Sequence, residues 1–119
     1  MATLLLKKSY QLSNLKEVNF NDLWGSRGVF TTMRMVGKPP KLILLKPHLE
    51  NLIKSTKKYG IRKNNLKNII KDLINKNTLY IGPDNLFRIA LNKKMISVTI
   101  RKDQNQKVIL ISYCLNINE

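Results

Sequence analysis

Residues 28–61 read GVFTTMRMVGKPPKLILLKPHLENLIKSTKKYGI. Val29 to Val36 has the composition of a strand. Side chains alternate along a strand with period two, so Val29, Thr31, Met33 and Met35 share one face and Phe30, Thr32 and Arg34 the other. Gly37-Lys38-Pro39-Pro40 marks a turn, and Lys41 to Leu45 predicts a returning strand. A helix is then expected. Pro47 suits its first turn, Leu49, Leu52, Ile53, Thr56 and Tyr59 recur at helical spacing, and Gly60 supplies a left-handed stop.

Working outward, residues 3–12 predict a first strand. Asn14 to Ser26 is polar and turn-rich, with Trp24 expected as its large apolar anchor. Asn64 or Asn65 is placed to cap a second helix, whose apolar stripe is Leu66, Ile69, Ile70, Leu73 and Ile74. Lys63, Lys67, Lys71 and Lys76 lie off that stripe and predict a solvated face. Past the Gly82-Pro83-Asp84 turn, Leu86 to Leu91, Met95 to Arg101 and Val108 to Leu115 are separated by short polar loops. That spacing predicts an antiparallel meander. Strands, two consecutive helices and more strands together predict an α+β fold, an antiparallel sheet with both helices on one face. No internal repeat or low-complexity linker interrupts residues 1–119, so a single domain is expected.

Hydrophobic residues make up 43% of the chain, enough for a packed core. The longest early apolar run, Leu4 to Leu6, is too short for a signal segment or a membrane span. The single Cys114 has no partner for an internal disulfide and sits in an apolar run, which predicts a buried, reduced thiol. A cytoplasmic protein is the expectation. The formal net charge is +15, which ordinarily points to nucleic acid or an anionic surface. Yet 17 of the 22 cations are Lys, beside 14 Asn and 13 Ile, the residues of A/T-rich codons. Lys16, Lys41, Lys58, Lys71, Lys93 and Lys107 fall in every segment, and no aromatic residues interleave with Arg as in single-strand binders.

No familiar active site assembles from these residue types. One His and one Cys make neither a zinc site nor a Cys-His pair with an orienting third group, so no metal is expected. Gly25-Ser26-Arg27-Gly28 lacks the glycine spacing and Lys-Ser/Thr pair of a phosphate loop, and it leads into a strand. His48 is expected to serve a structural or capping role. Arg34 beside Thr32 could hold a carboxylate through charge-assisted hydrogen bonds; a solvated Arg on a sheet face fits the spacing equally.

The ordered run Gly28, Val29, Phe30, Thr31, Thr32, Met33 and Arg34, then Gly37-Lys38-Pro39, then His48, Leu49, Leu52, Ser55, Gly60 and Ile61, resembles a known opening. It is similar to the start of the class IV, or fold-type IV, pyridoxal-phosphate enzymes, which include branched-chain and D-amino-acid aminotransferases and aminodeoxychorismate lyase. The resemblance spans residues 24–79, and the Phe-Thr-Thr run leans toward the lyase branch. It implies a small N-terminal domain packed against a larger catalytic domain, with pyridoxal phosphate between them and dimers as the usual assembly. It places Phe30, Thr32 and Arg34 on the substrate side of the cleft. It puts Asn51 at the position of the family's phosphate-binding arginine, and Ser26-Arg27-Gly28 where Gly-Asp-Gly is usual. The Schiff-base lysine belongs to the second domain, and none of the lysines here matches its motif, so no catalytic residue is assigned. These departures predict a truncated or split class IV-like transferase or lyase that is inactive alone. Its expected partners are a separate catalytic chain and further copies of itself, through apolar side chains such as Phe30 and Val36. The alternative expectation is a small basic nucleic-acid-binding domain, resting on the charge.

Overall fold

The computed structural model describes residues 4–37, 41–78 and 85–102. In chain order they form β1 (Leu4–Gln11), β2 (Glu17–Val18), β3 (Val29–Val36), β4 (Lys41–Leu42), α1 (Leu45–Lys58), α2 (Leu66–Thr78), β5 (Asn85–Leu91) and β6 (Met95–Lys102). The fold is α+β, an antiparallel sheet with two helices, as predicted; the sheet has six strands, of which β2 falls in the segment expected to be turn-rich. The strand order is β2-β1-β6-β5-β3-β4. Three hairpins, β1–β2, β3–β4 and β5–β6, supply the strands, and the α1–α2 pair carries the chain from edge strand β4 back to central strand β5. The predicted Val108–Leu115 strand, the Gly82-Pro83-Asp84 turn and Cys114 lie outside the described residues.

The period-two pattern decides which face is covered. Val29, Met33 and Met35 of β3, Phe87, Ile89 and Leu91 of β5, Ile96, Val98 and Ile100 of β6 and Tyr10 of β1 are all buried. They join Leu49 and Leu52 of α1 and Leu66, Ile70, Leu73 and Ile74 of α2 in one apolar cluster. The helices therefore cover a single face. Their stripes follow the predicted spacing, except that Tyr59 is 37% exposed. Tyr10 brings its hydroxyl into the core, where Asn77 Nδ2 donates to it at 3.2 Å and to Leu73 O at 2.8 Å. That gives the buried phenol the partner it needs.

Two local expectations are corrected. The predicted strand 41–45 ends at Leu42, because Ile43 and Leu44 turn and Leu44 adopts a left-handed φ of 55° before α1 begins. His48 steadies that turn: its backbone N–H donates to Leu44 O at 3.1 Å, and its Nδ1 lies 2.8 Å from the same oxygen. The expected structural role of His48 therefore has a visible cause. The second correction concerns Trp24. It does not anchor its segment, being 79% exposed; its neighbour Leu23, 7% exposed, is the residue that goes in. Backbone N–H donation from Leu23 to Asn21 Oδ1 and from Trp24 to Asp22 Oδ1 shapes the turn that separates them.

Candidate functional site

The face of the sheet opposite the helices carries the polar side chains. Strand pairing aligns them in rows across β3, β5, β6 and β1. Phe30, Ala90, Ser97 and Ser9 form one row, Thr32, Arg88, Thr99 and Lys7 the next, and Arg34, Leu86, Arg101 and Leu4 a third. Adjacent strands lie about 4.8 Å apart, so the first three residues of each row span about 10 Å. Three of the five arginines of the chain, Arg34, Arg88 and Arg101, thus share one face.

A loop before β3 closes one end of this face. Ser9 Oγ and Ser97 Oγ lie 2.7 Å apart, and both hydroxyls engage the backbone of Asn21: Asn21 N–H donates to Ser9 Oγ at 2.9 Å, and Ser97 Oγ donates to Asn21 O. Both serines are buried, so these bonds satisfy groups that would otherwise be desolvated without partners. The pinned loop then presents Trp24 beside Arg88. The Arg88 guanidinium sits 4.9 Å from the centroid of the Phe30 ring and 5.8 Å from that of Trp24, and its Nη1 donates to Asp22 O at 3.1 Å. Cation–π contact with two rings holds the guanidinium in place. Burial lowers the Arg88 pKa; Asp22 opposes that shift and neighbouring Arg101 adds to it. The group stays protonated, since arginine starts far above neutrality. Beside it, Trp24, Ser26, Phe30, Arg88 and Ala90 line a recess of about 350 Å3.

The predicted site residues are only partly brought together. Phe30, Thr32 and Arg34 do share the open face, but they differ in environment. Phe30 is 61% exposed, Thr32 is half-buried, and Arg34 is buried at 7%. A solvated Arg34, the bland expectation, does not hold. Asn51 lies elsewhere, exposed on α1, the helix that packs on the other face of the sheet. Its neutral amide offers no charge to a phosphate, so the residues here do not fit pyridoxal phosphate at the position the resemblance assigns. What they do offer is a positioned guanidinium with a hydroxyl and an aromatic ring on the same strand beside it. That set suits a carboxylate on a planar or apolar body.

Arg88 and Arg101 were not singled out in the sequence. A signal exists, because Arg88 is out of phase with Phe87, Ile89 and Leu91, and Arg101 with Ile96, Val98 and Ile100. Only the pairing of Arg88 with Thr32 and Thr99 shows what that phase means. Among the described residues, no helix is long and apolar enough to cross a membrane, and no group of three or more His, Cys, Asp and Glu is placed to hold a metal ion. Comparison with protein-family models, with curated proteins and with solved structures found no match to this chain.

Proposed function

We propose that this chain is a small-domain unit of the class IV pyridoxal-phosphate type, and that its open sheet face is the substrate wall of a cleft completed by a second domain. The observation that carries the proposal is Arg88. It stands in register beside Thr32, its guanidinium over the ring of Phe30, on the face that the Gly28–Arg34 resemblance assigns to substrate. In this reading Arg88 pairs with the substrate carboxylate, Thr32 adds a hydroxyl, and Phe30 and Trp24 cover its apolar body. The cofactor and the Schiff-base lysine come from the second domain, whether on this chain or another, since Asn51 provides no phosphate charge. The reaction class is transamination of an amino acid or lyase chemistry on aminodeoxychorismate. Without the second domain there is no covalent step.

The test is direct. The purified chain is mixed with pyridoxal phosphate and offered branched-chain amino acids, D-amino acids or aminodeoxychorismate. No turnover is expected with any of them. Turnover, abolished by substitution of a single lysine, would contradict the division of labour. The same face also makes the chain prone to self-association, because Trp24, Phe30 and Leu4 are all exposed. Sedimentation at low and moderate salt is expected to show dimers or larger species, which the double variant Trp24→Ser, Phe30→Ser converts to monomer. A wild-type chain monomeric at both salts would remove this partner assignment.

A further inference from the structure

The lysines look evenly spread along the sequence, but folding gathers some of them. Arg27 from the loop before β3, Lys57 and Lys58 from the last turn of α1, and Lys93 and Lys94 from the β5–β6 turn line one recess of about 790 Å3. Among the described residues, no carboxylate lines it. We propose that this recess is a binding site for a single-stranded nucleic-acid segment; it adjoins the Arg88 recess proposed above to take substrate, sharing Ser26 with it, but draws its cations from other residues.

The recess is held in shape by more than the charges. Asn92 Nδ2 donates to Ser26 Oγ at 3.0 Å, tying the β5–β6 turn to the loop that carries Arg27. Asn92 Oδ1 accepts from the backbone N–H groups of Lys94 and Met95, each at 2.8 Å, which fixes the turn itself. Gly60, at φ 68°, leaves room for Lys93 to fold across it. A Cβ at Gly60 would lie 3.1 Å from Lys93 Cε and 3.5 Å from its Nζ. The Arg27 guanidinium is 5.9 Å from the centroid of the Tyr59 ring.

A helix C-terminus explains two of the five cations, since Lys57 and Lys58 complement the dipole of α1. It does not explain why Arg27, Lys93 and Lys94 come to the same place. Codon bias raises the number of lysines but does not select their position in space, and it has no bearing on Arg27. Five like charges around one concavity favour a polyanion, whose binding releases condensed counterions. The volume exceeds what one phosphate fills and suits several linked ones. The ring of Tyr59, 37% exposed beside these cations, offers a base a surface to stack on. Aromatic–Arg interleaving, lacking along the sequence, is thus produced in space.

The experiment measures anisotropy of a labelled oligothymidylate of about 15 nucleotides, long enough for a site of this kind. With the wild-type chain, the slope of log affinity against log salt is expected near −3.5, roughly −0.7 for each of five phosphate contacts. The triple variant Lys57→Gln, Lys93→Gln, Lys94→Gln should make the slope shallower by about 2 and weaken binding tenfold or more at low salt. A matched variant, Lys16→Gln, Lys67→Gln, Lys71→Gln, removes the same charge from exposed positions elsewhere and should keep the slope. Circular dichroism on both establishes that they fold. Tyr59→Leu should weaken binding about tenfold with the slope unchanged. No binding by the wild-type chain, or equal losses in the two triple variants, overturns the site. Unchanged affinity in Tyr59→Leu overturns the single-strand assignment.

Discussion

Gly28→Ala is expected to destabilise the fold by about 3 kcal/mol or more, in the range reserved for backbone clashes and core disruption. A Cβ at Gly28 would stand 2.1 Å from Leu91 O, 3.0 Å from Leu91 C and 3.2 Å from Asn92 Cα. All three are backbone atoms, so no side chain can swing away to relieve the overlap. Relief requires β3 and β5 to separate where Val29 pairs with Leu91. That is also where the loop carrying Trp24 enters the sheet. Urea unfolding should show a markedly lower midpoint with an unchanged slope. A variant within about 0.5 kcal/mol of wild type would show that the strands do not approach so closely. As a letter in a motif, Gly28 marks a resemblance; in the structure it is the residue that lets two strand ends meet.

The second large effect separates the two faces of the sheet with one residue type. Phe87→Ala should cost about 3–5 kcal/mol, because the side chain is fully buried and its loss leaves a cavity among packed neighbours. Domains of this size commonly have only 5–15 kcal/mol in total, so this variant would stand close to unfolding. Phe30→Ala, on the open face at 61% exposure, should change stability by no more than about 0.5 kcal/mol. Paired denaturation curves check both. Comparable losses would mean that the open face is also core, contrary to the cleft wall proposed for it.

Much of the fold could be read from periodicity. The β3 boundaries, the two helical stripes and the antiparallel return of β5 and β6 follow from alternation and turn chemistry, which act over a few residues. Where the reading erred, a longer-range contact decided the outcome. The fourth strand stops early because Leu44 turns left-handed under His48. The serine pair fixes Asn21, and the turn that follows buries Leu23 and leaves Trp24 outside. The candidate site was half legible. Phe30, Thr32 and Arg34 follow from alternation on one strand. The partnership of Arg88 with them depends on strand register, and the gathering of Arg27 with Lys57 and Lys93 on tertiary approach, neither of which local sequence encodes. Lys63 illustrates the same limit: placed off the α2 stripe, it reaches back to donate to Ser13 O at 2.7 Å.

The most direct test of the cleft-wall assignment is an amide-resolved NMR titration of the full chain with an aromatic amino carboxylate, 4-aminobenzoate. Shifts are expected at Phe30, Thr32, Arg88 and Thr99, on the open face. Arg88→Gln should weaken them roughly tenfold, as losing a charged hydrogen-bond partner does. Shifts confined to α1 and α2, or shifts that Arg88→Gln leaves unaltered, would contradict the assignment of this face to substrate.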